Sequence, residues 1–386
     1  MESEMDFYAG LVQFSSDMYG QVVTAQSMVQ QNVFISPLSV YVALLMALVG
    51  AGGQSRLELR QSMRIPSELE EATLHNVLGS TLRKISMGSK DVTTSLANRL
   101  FVLQSMNIRD EFKDTLKKNY GAETELLVDY ADLEAKRQKI NQWVSEQTNS
   151  KIPELLSHGV LQQNSLMAIV NTVYFKGFWK LQFDKQMTMN GLFYRMQNSA
   201  AEIPMMTMCS DLPYQDLPEI DAEAVKLPFR DSVWEVLIVL PNKNDGLPNL
   251  MSQFRNSDTM RKILAKPFYP VEVDLKLPRF KLSELPPLDM KTMLQLMGVK
   301  SIFDQTANFS NLSPDPNIYV SDLVHKAVIE VDEEGAEAAA GTGLIISLTA
   351  ARNKMQFLVD HPFLMALIYN STVPAFIGHV FEPEVL

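Results

Sequence analysis

The spacing of apolar residues predicts that the first part of the chain is largely helical. Near the start, five apolar residues recur at intervals of three or four, the stripe of an amphipathic helix that packs on a core: Phe7, Leu11, Phe14, Met18 and Val22. Similar helical patterns cover Leu69 to Ile85, Asp110 to Tyr120 and Asp132 to Gln147. The ten apolar residues from Val40 to Val49 are too few to cross a bilayer and predict a buried core helix.

After Ser165 the pattern changes from helical to extended. Three segments have the continuous or alternating apolar character of strands: Leu166 to Phe175, Trp234 to Pro241 and Val271 to Phe280. Helices followed by strands, without a repeating strand-helix alternation, predict an α+β fold with helices covering an antiparallel sheet. No repeat or linker-like tract interrupts the chain, so we expect one domain over residues 1–386.

Composition narrows the classes of partner. The chain has 34 Lys and Arg against 45 Asp and Glu, a net charge of -11, which disfavours nucleic acid, anionic membrane surfaces and polyanionic cofactors. The N-terminal residues are acidic, where a secretory leader would be basic and then apolar. We therefore expect a cytoplasmic protein, with leaderless release from the cell as the alternative. The sequons at Asn308, Asn311 and Asn370 would then be unused.

Residues typical of catalysis and metal binding do not form recognisable patterns. The single cysteine, Cys209, lies among methionines and is predicted to be a buried, inert thiol. The five histidines lack the spacing of a metal site, so no metal and no cofactor is expected. The glycine-rich stretch from Gly50 to Ser55 has no lysine and follows a helical run, which predicts a helix end and turn rather than a phosphate loop. We predict that the protein is not an enzyme.

The segment from Glu333 to Ala351 fits no ordinary element. It carries no charge after Glu337, and Gly341 and Gly343 would break a helix, at a cost of about 1 kcal/mol each. Read with a period of two, one face consists of residues fit for burial in a sheet: Ala336, Ala338, Ala340, Thr342, Leu344, Ile346 and Leu348. A permanent strand or a flexible tether are the alternatives that composition leaves open.

A family resemblance resolves this ambiguity. The run EVDEEGAEAAAGTG resembles the hinge of the serpin family, and FLVDHPFL, ANFS and VHKA are similar to further serpin motifs in the same order. Three earlier segments also resemble serpins: NVFISPLSV, NQWVSEQTNSKI and VNTVYFKGFW. The missing leader is similar to the ovalbumin-type branch. The resemblance implies three β-sheets with about eight or nine helices and an exposed reactive loop within residues 333–357, inserting into the main sheet after cleavage.

The resemblance also implies a function and its residues. A serpin inhibits a serine protease as a suicide substrate, as a monomer that forms a covalent complex with it. The hinge residues would be Glu333, Glu334, Gly335, Ala336, Glu337, Ala338, Ala339 and Ala340. Ser36, Ser39, Asn171 and His325 match the family's shutter, and Trp179 matches its breach. An ordinary buried histidine and an ordinary core aromatic are the alternatives for His325 and Trp179.

Counting seventeen residues from Glu333 reaches Thr349, the family's usual spacing, so Thr349-Ala350 is the expected scissile bond. A small β-branched residue suits the shallow pocket of an elastase-like protease. Arg352-Asn353 is the alternative, for a trypsin-like protease, and Leu348 is a weaker candidate. A noninhibitory chaperone, carrier or storage role is the other alternative, although no charge or proline interrupts the alanine stretch. The acidic residues around Glu70 predict no strong heparin binding, because only Arg83, Lys84 and Lys90 oppose them.

Overall fold

The computed structural model describes residues 2–24, 30–87, 89–130, 132–195, 199–230, 233–256, 258–283, 285, 288–335 and 354–386. The expected scissile residues, Thr349-Ala350 or Arg352-Asn353, lie outside the described residues. So do the hinge residues 336–340. Glu333, Glu334 and Gly335 lie within them.

Nine α-helices occur in the described ranges. They are α1 (Glu2–Thr24), α2 (Pro37–Gly50), α3 (Gly53–Ser62), α4 (Glu71–Met87), α5 (Asp110–Tyr120), α6 (Leu133–Gln147), α7 (Leu247–Phe254), α8 (Asp258–Ala265) and α9 (Met290–Leu296). The prediction for α5 is confirmed at both ends. Asp132 caps α6 by accepting the Ala135 N–H at 2.7 Å, so the helix begins one residue later than predicted. Within the described residues, no helix is both long and apolar enough to cross a bilayer.

The strands are β1 (Val33–Ile35), β2 (Val92–Val102), β3 (Glu123–Leu126), β4 (Met167–Gly177), β5 (Met189–Tyr194), β6 (Ala200–Leu217), β7 (Ala222–Pro228), β8 (Trp234–Pro241), β9 (Tyr269–Pro278), β10 (Phe280–Leu282), β11 (Asp322–Val331), β12 (Met355–Leu358), β13 (Phe363–Tyr369), β14 (Val373–Val380) and β15 (Glu384–Val385). The prediction for β8 is confirmed at both ends. One sheet has the order β15-β10-β11-β4-β2-β3.

The long strand β6 belongs to two further sheets. Its residues 200–214 pair with β5 and β9, and β12 extends that sheet beyond β9. Its last residues pair with β7, which leads through β8, β13 and β14 to β1. Because they share β6, these two sheets form one hydrogen-bonded network of nine strands, eight in a continuous order and β5 paired to the side of β6. The α+β fold with three sheets is therefore confirmed.

Three predictions need correction. The first half of the chain contains β2, an 11-residue strand that the helical expectation missed. The predicted strand from Val271 to Phe280 is two strands, because the chain leaves β9 at Pro278 and joins the other sheet at Phe280. Cys209 is exposed on β6 rather than buried, since it lies on the solvent side of the β6–β9 pair.

Two helices cover opposite faces of the six-stranded sheet. The predicted core helix, α2, is buried almost throughout, and Ser36 caps it through a hydrogen bond from the Ser39 N–H at 3.2 Å. The glycine-rich stretch after it is a helix end and turn, as predicted, because α2 ends at Gly50 and α3 begins at Gly53. On the other face, α6 packs Ile140, Trp143 and Val144 against β2, β4 and β11.

Candidate functional site

The seam between β4 and β11 lies at the centre of the six-stranded sheet. The two strands are parallel, and their register runs from Asp322 opposite Ala168 to Val328 opposite Tyr174, seven residue pairs in all. After Val328, β11 continues to Val331, and these last residues pair with β10 rather than with β4. The last residues of β4, after Tyr174, pair only with β2, on the other side of the strand. The β4–β11 ladder thus ends at Val328 and Tyr174, and the two chains are joined again at the hinge by a bridge between Phe178 and Gly335.

The segment after α6 crosses this seam on the outer face. The Lys151 ammonium reaches across to the Glu330 carboxylate on β11 at 2.8 Å. The Asn141 side chain on α6 binds the next part of the segment, accepting the Leu156 N–H at 2.8 Å and donating to the Leu156 carbonyl at 2.9 Å. We call residues 148–157 the covering segment. Any strand that entered the seam would have to displace it.

The four predicted shutter residues lie together beneath the seam. The Ser36 N–H donates to Nε2 of His325 at 2.9 Å, and the Ser36 hydroxyl donates to the Ala375 carbonyl on β14 at 2.8 Å. Ser39 follows one turn into α2, and Asn171 lies directly opposite His325 across the seam. The shutter therefore connects α2 and β14 to both strands of the seam.

The structure adds a fifth residue, Asn98, to the four predicted shutter residues; sequence reasoning missed it. It lies opposite Asn171 on β2 and accepts a hydrogen bond from the Asn171 side-chain nitrogen. His325, Asn171 and Asn98 thus form one polar row across three strands. An asparagine in an otherwise strand-like run was the available signal, but the strand itself had not been predicted.

This polar row is incompletely hydrogen-bonded. Two of its buried atoms, Nδ1 of His325 and Oδ1 of Asn171, have no hydrogen-bond partner among the described residues, and neither has the buried Oγ of Ser39 on α2. Because Nε2 of His325 accepts a hydrogen bond from Ser36, the neutral ring carries its proton on Nδ1. Burial lowers the pKa of His325 to about 4, so the ring is neutral at physiological pH. Such a cluster can change partners when the seam opens.

Trp179, the residue predicted for the breach, follows β4 at the hinge end of the seam. Its ring is 2% exposed and stacks on Phe229 with 4.5 Å between ring centroids. The indole Nε1–H donates to the Asp332 carbonyl at 2.9 Å, and the Trp179 N–H donates to the Glu334 carbonyl at 3.0 Å. Trp179 therefore binds both Asp332, the residue after β11, and Glu334 of the predicted hinge.

The first hinge residues are anchored by their side chains. Glu333 is 3% exposed, and its carboxylate accepts a hydrogen bond from the Thr188 hydroxyl at 2.7 Å and lies 3.6 Å from the Arg279 guanidinium. Glu334 forms an ion pair with Lys185. We call these contacts the hinge anchor. Sequence reasoning missed Thr188, Lys185 and Arg279, which lie far from the hinge along the chain.

The backbone at the hinge forms a tight turn. The Asp332 carboxylate accepts the N–H groups of Glu334 and Gly335 at 2.9 and 3.0 Å. Gly335 has a φ of +127°, and a Cβ atom there would lie 2.0 Å from the Gly177 carbonyl oxygen. Only glycine fits this conformation and this approach, which explains the glycine after the two glutamates.

Comparisons with known proteins agree with this geometry. The family model "Serpin (serine protease inhibitor)" matches residues 9–383. The protein named Iris from Ixodes ricinus is 31% identical over 96% of this chain and 98% of its own length. A leukocyte elastase inhibitor from Xenopus laevis is 32% identical over 88% and 90% of the two chains. The crystal structure of Serpin48 from the insect Tenebrio molitor, 26% identical, covers 98% of both chains with a TM-score of 0.87.

The chain belongs to the serpin family. Its curated relatives include ovalbumin-type serpins such as human Serpin B3, in agreement with the branch expected from the sequence. The family comprises inhibitors of serine proteases rather than enzymes.

Proposed function

We propose that this serpin inhibits a serine protease as a suicide substrate. The protease cleaves the reactive loop and forms an acyl-enzyme, and the freed N-terminal part of the loop then inserts between β4 and β11. The observation that supports this proposal is the seam itself, a parallel ladder of seven residue pairs that ends before the hinge. The mechanism uses residues 1–386 as one domain, and an apolar cluster whose members extend along the chain from Phe7 to Val380 supports that.

The strand pairing favours insertion. A loop that turns back after Gly335 would run antiparallel to both β4 and β11. Insertion would then replace one parallel ladder by two antiparallel ladders, which are slightly more stable per residue. Burying Leu344, Ile346 and Leu348 would add roughly 5 to 9 kcal/mol, at about 1.5 to 3 kcal/mol for each side chain. The native state is metastable relative to the inserted state for these two reasons.

We propose Thr349-Ala350 as the bond attacked, by an elastase-like protease. The small β-branched side chain and the spacing from Glu333 support this choice, and one relative carries the name leukocyte elastase inhibitor. Attack at Arg352-Asn353 by a trypsin-like protease is the second candidate. It would lengthen the inserted tether by about 10 Å, because three more residues of about 3.3 Å each precede the bond. The longer tether would pull less firmly on the trapped protease.

The direct test is incubation with elastase-, chymotrypsin- and trypsin-like proteases, followed by denaturing electrophoresis. We expect a band at the summed mass that survives boiling in detergent. N-terminal sequencing of the released C-terminal fragment should give Ala350 as its first residue. A fragment starting at Asn353 would favour the trypsin-like target. Cleavage by every protease without any stable complex would contradict inhibition and favour a noninhibitory role.

Two neighbouring substitutions test insertion itself. Ala338→Arg places a cation on the face predicted to be buried, at a cost of several kcal/mol, whereas Ala339→Arg places it on the opposite face. The scissile bond is unchanged in both variants. We expect Ala338→Arg to be cleaved as a substrate and Ala339→Arg to retain most of the covalent complex. Equal trapping by the two variants would contradict burial of alternate residues.

We also propose that the inhibitor acts as a monomer without polyanion activation. In α4 the only Lys or Arg residues are Arg83 and Lys84, and the helix begins with Glu71. Such a helix offers little attraction to a sulfated polysaccharide. A heparin titration at physiological salt should change the rate of complex formation by less than about tenfold.

A further inference from the structure

Lys354 lies at the C-terminal end of the predicted reactive loop, directly before β12. Its ammonium donates a hydrogen bond to Sγ of Cys209 on β6 at 3.2 Å and lies 3.6 Å from the Glu272 carboxylate on β9. Sγ of Cys209 is 3.8 Å from the same carboxylate. We call these three side chains the C-terminal anchor, because they fasten the loop to the sheet on the side that follows the expected scissile bond.

The C-terminal anchor joins opposite charges at the surface. The hydrogen bond with Cys209 and the nearby charge of Glu272 raise the pKa of Lys354, so its ammonium is charged at physiological pH. The Lys354 side chain is 44% exposed and that of Glu272 is 21% exposed. Ion pairs this exposed contribute little to the stability of a fold. A contact of this strength can still restrict the end of a loop, because it fixes where the chain leaves the sheet.

The strand that follows Lys354 is short. In β12, four residues pair with β9, from Met355 opposite Val273 to Leu358 opposite Lys276. The Gln356 side chain adds a hydrogen bond to the Asp274 carboxylate at 3.0 Å. Without the C-terminal anchor, the chain would be held only from Met355 onward. The side-chain contacts of Lys354 therefore extend the fixed part of the chain by one residue toward the loop.

We propose that Lys354 is a positioning residue for the inhibitory reaction and acts through the loop segment that carries the scissile bond. This inference rests on the proposed function. Lys354 is the fifth residue after Thr349, so the bond lies at most about 16 Å from the anchor, at about 3.3 Å per residue. A short tether limits the volume that the bond samples, and less conformational entropy is lost when the protease binds it.

Cleavage separates Lys354 from the strand that inserts. After attack at Thr349-Ala350, Lys354 belongs to the C-terminal fragment, which keeps its place in the sheet through β12, β13 and β14. The inserting residues end at Thr349. Lys354 therefore acts only before the acyl-enzyme forms. Loss of the anchor slows formation of the complex, whereas the partition of the acyl-enzyme between trapping and hydrolysis depends on insertion and stays the same.

The rate of complex formation and the number of inhibitor molecules consumed per trapped protease test this separation. Lys354→Met removes the charge and keeps the length of the side chain. We expect its rate constant with an elastase-like protease to fall at least about threefold, with unchanged consumption. Lys354→Arg, which retains the ion pair, should stay within about twofold of the unmodified chain. An unchanged rate in Lys354→Met, or a rise in its consumption of inhibitor, overturns the proposal.

The matched control is Lys276→Met. Lys276 is exposed on β9, four residues after Glu272 and so on the same face of the strand, outside the C-terminal anchor. This variant loses the same charge and should keep both the rate and the consumption of the unmodified chain. A fall in rate equal to that of Lys354→Met would mean that net charge, rather than the anchor, sets the rate, and would also overturn the proposal.

Cys209 reports the anchor without any protease. It is the single cysteine of the chain, so the absorbance released from dithionitrobenzoate, a dianionic thiol reagent, measures this thiol alone. The ammonium at 3.2 Å attracts the dianion. We expect the reaction to slow at least about threefold in Lys354→Met and not in Lys276→Met. Equal rates in Lys354→Met and the unmodified chain would show that Lys354 does not contact Cys209 in solution, which overturns the proposal.

A second variant removes the other partner of the ion pair. Glu272→Gln should also slow complex formation without changing the consumption of inhibitor, and it decides the question if Lys354→Met does not fold. A Glu272→Gln variant as fast as the unmodified chain contradicts the anchor. Failure of the unmodified chain to trap any protease would count against the proposed function, whereas the thiol measurement would still show whether Lys354 is docked on Cys209.

Discussion

The Glu333 carboxylate lies 3.6 Å from the Arg279 guanidinium, which ties the first hinge residue to the short connection between β9 and β10. The Glu333 side chain is 4% exposed, whereas that of Arg279 is 35% exposed. A buried carboxylate needs its partners more than an exposed cation does, because water cannot replace them. This contact therefore helps to hold Glu333 in its buried position.

Reversing the charge of Glu333 should release the hinge. Glu333→Lys places a cation in a buried position beside Arg279 and removes the acceptor for the Thr188 hydroxyl. We expect the free energy of unfolding of the native state to fall by about 3 to 5 kcal/mol, measured in the first transition of a urea titration. The swapped pair Glu333→Lys with Arg279→Glu should recover part of this loss. A swap no better than the single variant would show that the ion pair is not the cause.

Gly335 should not tolerate a side chain. Gly335→Ala imposes a φ of +127° on alanine and places its Cβ against the Gly177 carbonyl, so we expect a loss of at least about 3 kcal/mol in native stability. Gly121→Ala is the matched control, because Gly121 also has a positive φ, +60°, but nothing lies within 4 Å of its Cβ position. Gly121→Ala should lower native stability by only about 1 kcal/mol. Equal losses would show that the close approach to Gly177 has no effect.

Native stability should fall as the pH is lowered from about 6.5 to about 4. Burial lowers the pKa of His325 to about 4, and burial with the nearby charges of Arg56 and Arg60 does the same for His75. In this range the unfolded chain binds protons that the folded chain does not, which costs up to about 1.4 kcal/mol per pH unit for each histidine.

Urea titrations across this pH range provide the measurement. His325→Gln and His75→Gln should each flatten the pH dependence, whereas His158→Gln, at a side chain 87% exposed, serves as the control. The pH dependence expected here would be refuted by a stability that stayed constant down to pH 4.

The ion pair between Lys151 of the covering segment and Glu330 of β11 should contribute modestly to native stability. Lys151 and Glu330 are half-buried and 2.8 Å apart, so a double-mutant cycle with Lys151→Met and Glu330→Gln should give a coupling energy of about 0.5 to 1 kcal/mol. The cycle removes the contributions of other contacts of either residue. Both single variants should also form the covalent complex faster, because the covering segment is displaced more easily. A coupling energy of zero would show that the Lys151–Glu330 ion pair does not slow insertion.

Local sequence patterns were sufficient to predict the ends of an element where its environment is uniform along its length. The amphipathic α5 and the wholly apolar β8 begin and end where the sequence predicts, since one periodicity holds over the full length of each. The strand β2 was missed because Thr94 and Asn98, both polar, are buried among its apolar residues. Each has a partner from another element: the Thr94 hydroxyl donates to the Ile85 carbonyl on α4, and the Asn98 side chain accepts from Asn171 on β4.

Tertiary structure decided the features that depend on residues distant in the chain. The sequence determined the serpin family, the helices and most strands, and it supplied the hinge and shutter residues as predictions. Only the fold joined Asn98 to Asn171, exposed Cys209 and divided the Val271 to Phe280 run between two sheets. Only the fold brought Arg279, Thr188 and Lys185 to the hinge. Periodicity records which face of an element is buried, whereas strand order and register, which place these partners, arise from long-range pairing that no local spacing encodes.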